Sequence, residues 1–115
     1  MQLSKNFKLS EFMCNDNTPF IKVNMELVYK LQKLRDIVNL GVRINSAYRT
    51  PEYNRKVGGA NKSQHVLGNA ADIVVFGYTP TQLSKIAEQI GFDGIGIYNS
   101  FLHVDVRGHK ARWIA

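Results

Sequence analysis

Three side chains in this sequence have the types and spacing of a metal centre: His65, Asp72 and His103. A catalytic zinc ion commonly takes three protein ligands and keeps a fourth position open. The chain holds only three histidines, the third being His109, and a single cysteine, Cys14. No internal disulfide can form, and a metal site must be built from imidazole and carboxylate alone. Two histidines and one aspartate leave a divalent ion with net positive charge, which acidifies bound water and polarises a carbonyl. Taken singly, these residues say little. A His and an Asp seven positions apart are commonplace, and His103 alone fits a half-buried strand histidine.

The elements around them add weight. Residues Phe101 to Arg107 alternate, with Leu102, Val104 and Val106 on one face and His103, Asp105 and Arg107 on the other. That period of two predicts a strand with a buried back. Three ionisable groups in a row on its front are costly without partners or a ligand. Asp72 opens a second strand, Ala71 to Phe76, and His65 lies in the polar, glycine-containing loop 58–68 before it. Gly68 would let that loop reverse so that both side chains meet one ion. Asn24 predicts a helix N-cap, followed by Leu27, Leu31, Leu34 and Val38 on one face, with Gly41 placed to end the helix. Val42 to Ala47 reads as a strand. Thr50-Pro51 and Thr79-Pro80 each read as a cap followed by proline at the first helical position. The second of these opens a helix with Leu83, Ile86, Ala87 and Ile90 on one side and Gly91 at its close. Ile95 and Ile97 alternate with glycines before an Asn99-Ser100 turn. The expectation is one α+β domain over residues 1–115, with a small, mainly antiparallel sheet and helices packed on one side.

Composition bounds the partners. Apolar residues make up 44% of the chain, which suits a globular core. The first residues, Met-Gln-Leu-Ser-Lys-Asn-Phe, lack the apolar stretch of a signal peptide, and no run is long enough to span a bilayer. The expectation is synthesis in a cytoplasm, with any export left to another agent. The net charge of +6 favours polyanions, either nucleic acid or an anionic wall polymer. Basic residues such as Lys5, Lys22, Lys56 and Lys85 are scattered, with no recognition helix, so no nucleic-acid partner is expected.

The stretch Ser63-Gln64-His65-Val66-Leu67-Gly68-Asn69-Ala70-Ala71-Asp72 fits an S-x-H-x-x-G-x-A-x-D motif, with five matched positions in order. It resembles the M15 family of zinc peptidases, the D-Ala-D-Ala carboxypeptidase and L,D-endopeptidase group. Ser46-Ala47-Tyr48-Arg49-Thr50-Pro51 is similar to the segment preceding that motif, and His103-Val104-Asp105 to the last metal-ligand segment. Phe7-Lys8-Leu9-Ser10-Glu11-Phe12 resembles the opening of small phage and prophage members. The resemblance implies one Zn2+ held by His65, Asp72 and His103, a fold like that of the hedgehog and D,D-peptidase domains, and hydrolysis of peptides in bacterial peptidoglycan. It places Arg49 near the metal, as a catalytic oxyanion stabiliser or a grip on a substrate carboxylate. Ser63 would orient substrate or His65, or simply shape the loop. A monomer is implied, made in a bacterial host and reaching the wall after holin-type release or as part of a phage particle.

The sequence departs from the family at one point. Many members carry a catalytic Glu three residues before the last His ligand, where this chain has Ser100. Asp105, on the strand face of His103, is the expected replacement as general base. Its other role would be to hold a ring nitrogen of a histidine ligand. The missing Glu also motivates a second function, a zinc-containing wall-binding or virion module that cleaves nothing. A nuclease is the third reading. His109 reads as solvated, Arg107 as a partner of Asp105, Cys14 as buried, and Tyr48, Tyr53 and Tyr98 as groove-lining or packing residues.

Overall fold

The computed structural model describes all 115 residues. After a 3₁₀ turn at Leu9–Phe12, the elements run α1 (Met25–Val38), β1 (Val42–Ser46), α2 (Pro51–Lys56), β2 (Ala70–Val75), α3 (Pro80–Ile90), β3 (Gly94–Ile97), β4 (Leu102–Asp105) and β5 (Ala111–Ile114). The fold is α+β, as expected. Five strands form one sheet in the order β1-β2-β4-β3-β5, antiparallel at every pairing except β3 with β5. No helix is long and apolar enough to cross a membrane.

The helices form where the sequence supplies caps. The Asn24 side chain accepts from the Glu26 amide at 3.0 Å, and Leu27, Leu31, Leu34 and Val38 are all buried on the inward face of α1. The helix stops earlier than Gly41. Asn39 takes the left-handed conformation with φ of 51°, a geometry its short polar side chain tolerates. At α3, Thr79 and Gln82 bond reciprocally in a capping box, and Gly91 closes the helix with φ of 94°.

One cluster of 18 buried residues joins α1 and α3 to the back of the sheet, through Leu31, Leu34, Leu83 and Ala87 against Ile73, Leu102 and Val104. Each fully buried Leu or Ile contributes roughly 1.5–3 kcal/mol relative to exposure. This packing fixes the pleat of β2 and β4. With Ile73, Leu102 and Val104 turned to the core, Asp72, His103 and Asp105 must face the other way. In the antiparallel register Asp72 stands opposite His103, so two of the expected ligands are cross-strand neighbours.

The strand β5 lies beyond the last strand expected from the sequence, which ends at Arg107. It pairs in parallel with β3, bringing Trp113 opposite Gly96. Arg112 anchors it, bonding both carboxylate oxygens of Glu88 on α3 at 2.6 and 2.7 Å.

Candidate metal centre

Two strands and one loop position the three expected ligands. β2 supplies Asp72 and β4 supplies His103. The loop after α2 supplies His65, held by two backbone devices. Gly68 turns the loop at φ of 76°, packed against the Lys22 carbonyl where a side chain would clash. The Ser63 hydroxyl accepts from the His65 amide at 3.2 Å. A register irregularity between Ile44 and Ser46 in β1 then brings the Ala47 carbonyl to the His65 ring.

The hydrogen bonds decide which ring nitrogen each histidine presents. His65 Nδ1 lies 2.7 Å from the Ala47 carbonyl oxygen. A carbonyl only accepts, so Nδ1 carries the hydrogen and Nε2 offers a lone pair. That Nε2 points at Asp72 Oδ1, 3.2 Å away. His103 is the mirror case. Its Nε2 donates to Asp105 Oδ2 at 2.7 Å, leaving Nδ1 at 3.2 Å from the same Asp72 oxygen. Two imidazole lone pairs and one carboxylate oxygen thus converge, all within 4.8 Å of one another and all buried. Such a set repels itself unless a cation sits among it. A shared proton is one cation: although burial opposes its charge, His103 has a raised pKa because Asp105 and Asp72 hydrogen-bond to it. A divalent ion is the other, and the donor set of two nitrogens and one carboxylate oxygen fits zinc. Burial pushes Asp72 upward, but in the metal-free centre the adjoining His103 and His65 rings bring its pKa down to about 2.

The neighbours divide into two groups. Arg49 reaches the second oxygen of Asp72 at 3.5 Å, steadied by Ser46 Oγ at 3.1 Å and Asn54 Oδ1 at 3.2 Å. It lines the pocket over the centre, as do Ser63, Lys62 and Gln64. Asp105 does not line it. Its side chain is fully buried, with Oδ2 taken by His103 and Arg107 and Oδ1 by the Arg107 amide and Nε. Burial pushes the Asp105 pKa upward, yet the bonds from His103 and Arg107 hold it far below the carboxylate range. Arg107 is thus the partner of Asp105. Ser100, at the position of the absent Glu, is exposed on the β3–β4 turn and also outside the pocket lining. His109 is exposed, Cys14 is buried, and Tyr48 packs edge-on against Phe20.

An aromatic wall completes the pocket, of about 370 Å³, with Tyr98, Phe101 and Trp113 in its lining. Trp113 was missed with β5. Its signal lay in Gly94-Ile95-Gly96-Ile97, whose glycines fall on the polar face. A side chain at Gly94 would collide with the Asp105 carboxylate, and one at Gly96 with the Trp113 indole. The bare face of β3 is therefore a cradle for both.

A sheet that presents two oriented imidazoles and a carboxylate to one point, in an open pocket, forms a centre that could hold a metal ion. The family described as Peptidase M15 matches residues 5–105, and the chain belongs to it. No protein of the curated comparison matches the chain. The matched stretch takes in His65, Asp72 and His103 and ends before β5.

Proposed function

We propose that the protein is a zinc metallopeptidase that hydrolyses peptide bonds in the stem or cross-link peptides of bacterial peptidoglycan. The observation that carries this is the convergence of two fixed imidazole lone pairs on Asp72 at the floor of an open pocket. When bound there, zinc supplies a Lewis acid for a carbonyl and a lowered pKa for water. The chain's own residues do the rest. Arg49 neutralises the second Asp72 oxygen and offers its guanidinium to a substrate oxyanion or carboxylate. Ser63 holds the His65 loop through a backbone hydrogen bond.

Asp105 serves the reaction through His103. Both its oxygens are engaged, so it fixes the His103 tautomer and raises the basicity of Nδ1, as carboxylates behind metal-bound histidines do. This supports the positioning role over that of general base. Asp72 is then the one carboxylate in the pocket lining, which favours a second reading: a wall-binding or phage virion module that holds zinc without turnover. As a peptidase, the chain would act as a single domain released through the host membrane or carried on a particle.

One experiment decides between the two. Zinc-loaded protein incubated with purified walls should release free amino groups, and a chelator should abolish the release. Mass spectrometry of the fragments identifies the bond. Tight wall binding with no new amino groups, across walls of several peptide types, would leave the non-catalytic module standing.

A further inference from the structure

The aromatic wall carries a polar group that the metal chemistry does not use. The indole of Trp113 is a donor only, and it donates from Nε1 to the Tyr98 hydroxyl oxygen at 3.0 Å. The single hydrogen of that hydroxyl must therefore point away from Trp113. No protein acceptor bonds it, and both side chains line the same pocket as His103. The Tyr98 ring is held in place by Phe101, stacked at 4.5 Å and 12°. Trp113 is held in turn by His103 at 5.0 Å, by the Arg107 guanidinium at 5.2 Å, and by the open space over Gly96.

We propose that Tyr98 is a substrate-binding residue, its hydroxyl donating to a carbonyl or carboxylate oxygen of the bound peptide, with Trp113 setting the direction of donation. The proposal rests on the reading of this pocket as a peptide site. A donor fixed before binding loses little rotational freedom when it engages, so the bond is felt in affinity. The lining favours an oxygen acceptor. Arg49 and Lys62 contribute positive charge to it, whereas Arg107 is engaged by Asp105. Val57, Phe101 and Trp113 provide apolar surface for an adjoining side chain or methyl group.

The test uses zinc-loaded protein and a synthetic stem peptide, L-Ala-γ-D-Glu-L-Lys-D-Ala-D-Ala, with binding followed by calorimetry and cleavage by mass spectrometry. Trp113 is the only tryptophan in the chain, so its emission should also change on binding. Tyr98→Phe should weaken binding by about tenfold, the scale of one hydrogen bond, with zinc content and Tm unchanged. Trp113→Phe keeps an aromatic ring and removes the N–H. It should weaken binding in the same direction, and the double variant should bind no worse than Tyr98→Phe. Unchanged binding by Tyr98→Phe, or effects of the two substitutions that multiply, would overturn the proposal. Wild-type protein that binds the peptide without cutting it removes the peptidase reading alone, since the comparison of variants by calorimetry still decides on Tyr98. No binding by the wild type removes both.

Discussion

The metal centre and the aromatic wall border one pocket but are built by opposite means. The centre draws on β2, β4 and the loop between α2 and β2, all inside the stretch shared with the M15 family. Each candidate ligand there has a dedicated partner: Ala47 for His65, Arg49 for Asp72, Asp105 for His103. The wall depends on β5, beyond the matched stretch, and on glycines that contribute by having no side chain. A centre made of charges needs every valence met, because an unpaired buried charge is costly. A wall made of rings needs space and stacking. The two should therefore respond differently to substitution.

The largest difference should come from the ligands. Asp72→Ala removes the acceptor on which both histidines converge, and should abolish stoichiometric zinc by elemental analysis. Activity should fall by more than the roughly 10–100-fold expected of a positioning residue. Loss of Trp113 should leave zinc bound. Equal zinc loss from both variants would erase the distinction between centre and wall.

Asp105→Asn comes next. As a positioning residue, Asp105 should cost about 10–100-fold in zinc affinity when changed, and saturating zinc should restore much of the turnover. Unchanged zinc affinity with a lost kcat would instead make Asp105 the proton acceptor.

The two glycines of β3 sharpen the contrast within one strand. Gly94→Ala presses on Asp105 and Gly96→Ala on Trp113, each costing up to about 3 kcal/mol by overpacking. Zinc affinity should drop for Gly94→Ala and hold for Gly96→Ala, whose tryptophan emission should shift instead. Chemical unfolding together with zinc titration checks both.

The smallest effect is one of pH, on the metal-free protein. Asp72 has a depressed pKa, so its stabilisation is present above the unfolded value near 3.8 and is lost as pH falls through about 2, a change of about 2 kcal/mol. His103 has a raised pKa, so its contribution is complete below its unfolded value of 6.5 and fades as pH rises through the folded one. The centre should thus stabilise the metal-free fold most between about pH 4 and 6.5. Urea midpoints that fall neither below about pH 4 nor above about pH 6.5 would contradict this coupling of Asp72 and His103.

Much of this was legible in the chain. The alternation from Leu102 to Arg107 places His103 and Asp105 on one strand face, and the apolar partners of that strand turn the face outward from the core. The caps at Asn24, Thr50 and Thr79 mark helix starts within a residue, because capping is local chemistry. The end of α1 was misplaced because Asn39 adopts the conformation for which Gly41 seemed the better residue. β5 was missed because four residues, Ala-Arg-Trp-Ile, carry no period of their own. They become a strand by pairing with β3.

The sequence by itself determined the candidate ligand set, since the chain offers so few histidines and one motif to order them. It also determined the strand face on which His103 and Asp105 lie. Tertiary structure alone decided which nitrogen each histidine presents, because that depends on the Ala47 carbonyl and on Asp105 lying against the rings. It also decided that Asp105 is enclosed with Arg107, and that Trp113 stands over Gly96 beside the metal centre. Patterns along a chain report local backbone preference and burial. Contacts between residues 94–97 and 111–114 arise only when strands distant in order of folding space come to share an edge.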